Sequence, residues 1–184
     1  MPRKLKRTLP GDRADDIASM IRVDHAGEYG AKRIYQGQMD VLGKNPKLKR
    51  LIGHMAAQEE VHLGFFEKEI AVRQVRPSAL HPLWHAAGYA LGAITAKMGA
   101  EAAMACTVAV EEVISEHYAE QLDALKKNKS EKKLHAAIRK FKAEEEEHHD
   151  IGLEHDAETA PAYPLLTKAI KAGARIAIAV AKRI

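Results

Sequence analysis

One cysteine, Cys106, stands in 184 residues. That excludes an intrachain disulfide framework and a zinc site built on thiolates, and it fits a reducing compartment. Cys106 itself reads as a small buried residue. Aromatic residues are scarce at 5%, and the only cluster of them lies in an apolar stretch. The net charge of +4 therefore does not point to nucleic acid. Sustained apolar/polar alternation is missing, which argues against strands. No apolar run follows the basic start "MPRKLKRTLPG", so a secretory signal is not expected. A Gly-rich dinucleotide fingerprint is also missing. What is present is alanine and straight-chain residues in a chain that is 46% hydrophobic. Such a composition favours helices, and the length suits one domain over residues 1–184.

Punctuation divides the chain. Asp12, with Asp15 and Asp16 in the first turn, is expected to open a helix running to about Leu42, closed by Gly43. Asn45 and Pro46 form a strong restart, and the second helix runs towards Pro77. A long apolar stretch from about Pro82 to Leu125 follows, and its glycines at 88, 92 and 99 allow it to be two helices. "KKNKS" is a polar turn in which Ser130 is expected to cap the next helix. "APAYP" at 160–164 breaks the pattern, and an amphipathic helix over about 164–184 finishes the chain.

The segment "AEEEEHHDIG" contains Glu-x-x-His twice, as Glu145/His148 and Glu146/His149. Residues three apart share a helix face, so either pair could grip a metal, and a charge run could equally be a solvated surface. Periodicity chooses between the registers. An inward stripe advances in steps of three and four. Leu134, Ile138 and Phe141 lead by those steps to Glu145 and His148, whereas Glu146 and His149 are rotated away by about 100°. Likewise Leu48, Ile52 and Met55 lead to Glu59 and His62, with Glu60 off the stripe. Ile17, Ile21 and Asp24 lead to Glu28, then to Ala31 and Tyr35. Met104 and Val108 lead to Glu111, then to Ile114 and Tyr118, with Glu112 off the stripe.

Four helices thus each drive a glutamate into an apolar face, and two of them add a histidine. Unpaired buried carboxylates are too costly to persist without cations. The order is also duplicated: Glu28 precedes Glu59 by 31 residues, and Glu111 precedes Glu145 by 34. A single-Glu helix followed by a Glu-x-x-His helix, twice over, is the ligand pattern of dinuclear iron or manganese carboxylate centres in ferritin-like four-helix bundles. The expected fold is therefore all-α, a ferritin-like four-helix bundle with additional apolar and amphipathic helices. Hard oxygen ligands with two imidazoles suit iron or manganese, and neither a thiolate site nor an all-oxygen calcium site competes.

At these residues the chain resembles a known family. "RVDHAGEYGA", "MACTVAVEE", "RPSALHPLW" and "EEHHDIGLEHDAE" look like the demethoxyubiquinone hydroxylases of ubiquinone biosynthesis, over nearly the whole chain from about Asp16 to Ile184. The family pattern falls on Glu28, Glu59, His62, Glu111, Glu145 and His148, the six positions that the stripe selects. The resemblance implies a di-iron monooxygenase that uses O2 to hydroxylate the ring of 5-demethoxyubiquinol, giving 3-demethylubiquinol. Glu59 and Glu145 would bridge two iron ions, with Glu28 and Glu111 terminal. Electrons would come from the quinol itself or by an NADH-linked route. It also implies a polyprenyl quinol substrate and other ubiquinone-biosynthesis proteins as partners, including a lipid-binding helper. A homo-oligomer is allowed, and nucleic acid is not expected. The location implied is peripheral, on the cytoplasmic face of a bacterial inner membrane or the matrix face of the mitochondrial one.

Three further residues invite a role. Asp24, one turn before Glu28, could hold a ligand histidine by its other nitrogen, with Glu144 as the alternative. Tyr118, two turns after Glu111, could face a substrate cavity. A bland reading pairs Asp24 with Arg22 or His25 and leaves Tyr118 in the core. For a lipid surface, "SALHPLWHAAGYALGAITA" offers 19 residues without Asp, Glu, Lys or Arg. That is near spanning length, but Pro82 and two histidines argue against insertion. Trp84 and Tyr89 suit an interface, and Lys168, Lys171 and Arg175 lie beside an apolar face of the last helix. Two ordinary helices packing on the bundle would look the same. Two other functions share the ligand set: a ferroxidase or iron-handling protein, and a membrane-bound quinone-binding scaffold.

Overall fold

The computed structural model describes residues 16–126 and 130–184. Helix α1, Ile17–Leu42, begins where Asp16 accepts a hydrogen bond from the Ser19 backbone N–H at 3.1 Å. The cap is thus Asp16; Asp12 and Asp15 lie outside the described residues. Helix α2, Pro46–Arg73, starts as the sequence requires, with Asn45 accepting from the backbone N–H groups of Lys47 and Leu48. It stops four residues before Pro77, at a left-handed Gln74 (φ 53°).

The apolar stretch does divide in two, as α3, His81–Met98, and α4, Ala100–Leu125. Of its three glycines only Gly99 makes the break, with φ at 132°, a region L side chains rarely enter. Gly88 and Gly92 serve packing instead. A Cβ on Gly88 would stand 2.7 Å from the Gly30 carbonyl oxygen, and one on Gly92 would overlap the backbone of Ile34. These two glycines let α3 lie directly against α1.

Helix α5, Lys132–Glu154, has Glu131 rather than Ser130 at its N-cap position, and the Glu131 side chain makes no capping hydrogen bond. Residues 127–129 of the "KKNKS" turn lie outside the described residues. A short 3-10 turn, Ala157–Thr159, leads to α6, Tyr163–Ala181, which carries Pro164 in its first turn.

Short connections make α1/α2 and α4/α5 antiparallel pairs, and α3 is the long crossover between them, packed chiefly on α1. Helix α6 lies on α4, with a smaller contact to α1. Two apolar clusters fill the bundle. One joins Tyr35, Ile52, Met55, Met104 and Val108; the other joins Ile21, Phe66, Tyr118, Leu134, Ile138 and Phe141. Along every core helix the expected metal ligands fall between the two clusters. These candidate ligands therefore occupy the middle of the bundle, with hydrocarbon above and below. Among the described residues no helix is long and apolar enough to cross a membrane.

Candidate metal centre

The polar midsection collects six side chains from four helices: Glu28 from α1, Glu59 and His62 from α2, Glu111 from α4, and Glu145 and His148 from α5. All six are buried, none more than 1% exposed. They form two groups whose ligand atoms lie within 4.8 Å of one another. One is Glu28, Glu59, His62 and Glu145; the other is Glu59, Glu111, Glu145 and His148. Glu59 and Glu145 belong to both, and each turns one oxygen to each histidine. Glu145 Oε1 is 3.1 Å from His62 Nδ1, and its Oε2 is 3.1 Å from His148 Nδ1. Glu59 Oε1 is 3.3 Å from His148 Nδ1, and its Oε2 is 4.0 Å from His62 Nδ1.

The off-stripe residues behave differently. Glu60 pairs with Lys32, Glu146 with Lys142 and Glu112 with Lys171, all towards the surface. The register chosen by periodicity separates the two sets.

The unpartnered atoms test whether metal ions fit. Glu28 Oε2, both oxygens of Glu59, Glu111 Oε2, both oxygens of Glu145, and Nδ1 of His62 and of His148 are buried without a hydrogen bond. Every one is an atom that a cation in one group or the other would engage. Four carboxylates in a dry interior carry a charge that two divalent cations neutralise, and the oxygen-rich donor set with one imidazole per group suits iron or manganese. Without cations, protons carry the balance. Burial, then the neighbouring Glu145 carboxylate, pushes Glu59 and Glu111 well above the ordinary carboxylate range. Burial opposes charge on His62, but the Glu145 and Glu28 carboxylates, 3.1 and 3.3 Å from Nδ1, outweigh it and raise the imidazole to about 11.

A second layer fixes these groups. His62 Nε2 lies 2.9 Å from Glu144, and His148 Nε2 lies 2.8 Å from Gln58. Each histidine is thus held from behind, leaving Nδ1 towards the centre. Of the two residues proposed for this task, Glu144 performs it for His62. Asp24 does not: its Oδ1 accepts from Gln121 at 2.7 Å and faces His117 at 3.6 Å. It pairs with neither Arg22 nor His25. Tyr118 donates to Glu28, and Tyr35 donates to Glu111 at 2.7 Å. Burial first, then the adjoining glutamate, holds both phenols well above their ordinary range, so they remain donors.

The site is two-fold in its contacts as well as its ligands. Adding 83 takes Glu28, Tyr35 and Gln38 to Glu111, Tyr118 and Gln121; adding 86 takes Gln58, Glu59 and His62 to Glu144, Glu145 and His148. Gln58, Gln38 and Gln121 carry no signal in the stripe, and Tyr35, though on it, has no role assigned there; this repeat exposes them all, since Tyr35 follows Glu28 by the same seven residues that separate Tyr118 from Glu111.

The residues expected at a lipid surface lie elsewhere, on α3 and α6. Trp84 is half-buried, and its indole N–H reaches Ser78 at 3.2 Å. Tyr89 donates to Asp40 at 2.9 Å beneath the Arg33 guanidinium. Lys168 is exposed, but Lys171 pairs with Glu112 and Arg175 with Glu116 at 2.9 Å. Two of the three cations thus tie α6 to α4. The outward apolar side chains include Leu83, Ile94 and Met98 on α3 and Leu165 and Ile176 on α6.

Comparison with known proteins agrees along most of the chain. Residues 15–181 match the family model described as ubiquinone biosynthesis protein COQ7. A 3-demethoxyubiquinol 3-hydroxylase of Rhodospirillum rubrum is 53% identical over 178 residues, which is 96% of this chain and 83% of that protein. An NADPH-dependent 3-demethoxyubiquinone 3-hydroxylase, mitochondrial, of Bos taurus is 50% identical over 179 residues, 96% of this chain and 82% of its own length. The 5-demethoxyubiquinone hydroxylase, mitochondrial, of Saccharomyces cerevisiae is 44% identical over 192 aligned positions, 97% of this chain and 82% of its own.

Proposed function

The chain belongs to the family of ubiquinone biosynthesis protein COQ7, and from that premise we propose that it uses O2 and two iron ions to hydroxylate the ring of a demethoxyubiquinol. The observation that carries the metal part is the sharing of Glu59 and Glu145 between two buried ligand groups. Bound ferrous ions would pass electrons to O2 and so activate it, as the oxidant, against an electron-rich ring. Glu59 and Glu145 would hold both ions at once, Glu28 and His62 one of them, Glu111 and His148 the other.

The rest of the chain orients and protects. Tyr118 and Tyr35 each occupy one oxygen of a terminal glutamate and leave the other to the ion. The apolar clusters on either side keep water from the reacting atoms. The names of the bovine and human relatives carry NADPH dependence, and we assign this chain a reduced nicotinamide as its electron source. The polyprenyl tail of the quinol requires lipid, so we place the exposed apolar side chains of α3 and α6 against a membrane surface, with the protein peripheral to it. That surface is a bacterial inner membrane or the mitochondrial inner membrane.

The test supplies a short-tail demethoxyubiquinol analogue, iron, reductant and 18O2. One labelled oxygen atom in the ring is the expected result. Label arriving from water, or undiminished turnover without O2, overturns the proposal.

A further inference from the structure

The two halves of the centre repeat each other in every candidate ligand, and among the flanking positions where they differ are two polar pairs. Where α2 places Gln58 before Glu59, α5 places Glu144 before Glu145; where α1 places Asp24 one turn before Glu28, α4 places Thr107 before Glu111. The first of these touches the candidate ligands directly; the second meets glutamines beside them. Glu144 Oε2 accepts from His62 Nε2 at 2.9 Å, and Gln58 Oε1 accepts from His148 Nε2 at 2.8 Å. Asp24 meets Gln121, and its counterpart Thr107 meets Gln38 at 3.5 Å.

We propose that Glu144 and Gln58 are positioning residues that lock the two histidines in the same tautomer and, one charged and one neutral, make the Glu28–His62 half the tighter ion site, filled first. This rests on the two-ion reading given above. A carboxylate behind an imidazole makes it a more basic ligand and leaves negative charge near the ion; an amide oxygen gives the same orientation without the charge. The surroundings do not cancel the difference. Lys140 reaches Glu144 at 2.8 and 3.0 Å, but its side chain is 61% exposed and screened by solvent, while the imidazole it competes with is fully buried. Behind Gln58, Glu147 makes only a 3.5 Å contact and itself faces His54 at 3.5 Å. Asp24 is 3% exposed, accepts from Gln121 and faces His117 at 3.6 Å, so it brings no unbalanced charge to either half. The Glu144/Gln58 difference therefore favours cation binding at Glu28–His62.

The test is anaerobic titration of the metal-free protein with Mn(II), followed by calorimetry and electron paramagnetic resonance. Two separated binding steps are expected, with an uncoupled Mn(II) signal at one equivalent and a coupled pair at two. Glu144→Gln weakens the first step by roughly 10- to 100-fold, the usual effect of losing such a partner, and brings the steps together. The double exchange Glu144→Gln with Gln58→Glu conserves charge and restores the separation with the order reversed. His148→Ala retains the tight step in the natural background and loses it in the exchanged one; His62→Ala does the opposite. If an alanine variant does not fold, the two near-isosteric variants carry the test by themselves. Equal steps in the natural protein, a first step unmoved by Glu144→Gln, or a separation not restored by the exchange overturns the inference and leaves the two-ion reading standing. Absence of any Mn(II) binding overturns the two-ion reading instead.

Discussion

Tyr35 on α1 donates its phenolic proton to Glu111 on α4 at 2.7 Å, across the bundle. Its repeat partner Tyr118 on α4 makes the reciprocal bond to Glu28 on α1. Each single-Glu helix thus supplies a candidate ligand to one half of the centre and a hydrogen-bond donor to the other half. The pair of bonds locks α1 to α4 and fixes which carboxylate oxygen faces inwards.

Removing such a donor leaves a buried carboxylate oxygen without a partner. Tyr35→Phe and Tyr118→Phe should each lower stability by about 1–3 kcal/mol, read by denaturant unfolding of the metal-free protein. The two losses should be similar, because the environments repeat. A change within error of zero for either would remove the structural role assigned to that phenol.

Ligand register can be checked by iron content. After anaerobic Fe(II) loading about two ions per chain are expected. Glu59→Ala and Glu145→Ala should abolish the coupled two-iron signal, while Glu60→Ala and Glu146→Ala, which lose only surface pairs to Lys32 and Lys142, should retain it. Equal damage from both sets would refute the register.

The metal-free centre should respond to pH with a definite sign. Glu59, Glu111 and His62 bind their protons more tightly folded than unfolded. Their contribution is complete below the ordinary values, 4.5 for the carboxylates and 6.5 for the imidazole, and is lost as pH rises, through about 11 for His62. Glu145 runs the other way. Burial opposes its charge, but the His148 and His62 imidazoles, each 3.1 Å away, hold it at about 2, so its contribution is lost only as pH falls towards that value. Melting temperature of the chelated protein should therefore decline from about pH 6 to 10. Metal binding in that range should release protons, measured by calorimetry in buffers of different ionisation enthalpy. A rising melting temperature would show that the carboxylates are already ionised without metal.

Close packing of α3 on α1 depends on glycine. Gly92→Ala places a methyl group into the backbone of Ile34 and should destabilise by about 1–3 kcal/mol in thermal or denaturant unfolding. Gly64→Ala, where nothing stands within 4 Å of the added carbon, is the control and should be neutral or slightly stabilising.

Membrane attachment should follow apolar exposure more than charge. Leu165→Ser with Ile176→Ser removes side chains that are 70% and 64% exposed, and should weaken vesicle binding in a sedimentation assay. Burying a side chain of this size contributes about 1.5–3 kcal/mol, enough for a tenfold effect or more. Unchanged sedimentation would place the lipid surface elsewhere. Charge reversal at Lys171 or Arg175 is a poorer test, because it also breaks pairs with Glu112 and Glu116.

Much of this protein is determined by sequence alone. Residues three and four apart must share a helix face, so an apolar stripe that leads into Glu59 and His62 buries them whatever the neighbouring helices are. Asn45–Pro46 and the amphipathic periods fix most of the helix limits for the same local reason. Only the tertiary structure decides which residues meet across helices. That Asp24 faces Gln121 rather than a ligand histidine, that Tyr35 serves Glu111, and that Lys171 and Arg175 close onto α4 all depend on rotations and distances between helices. So does the division of labour among the glycines: Gly99 turns the chain, whereas Gly88 and Gly92 are needed because α1 lies against them. Helical periodicity is a property of one segment; contact between segments is settled by packing the whole bundle.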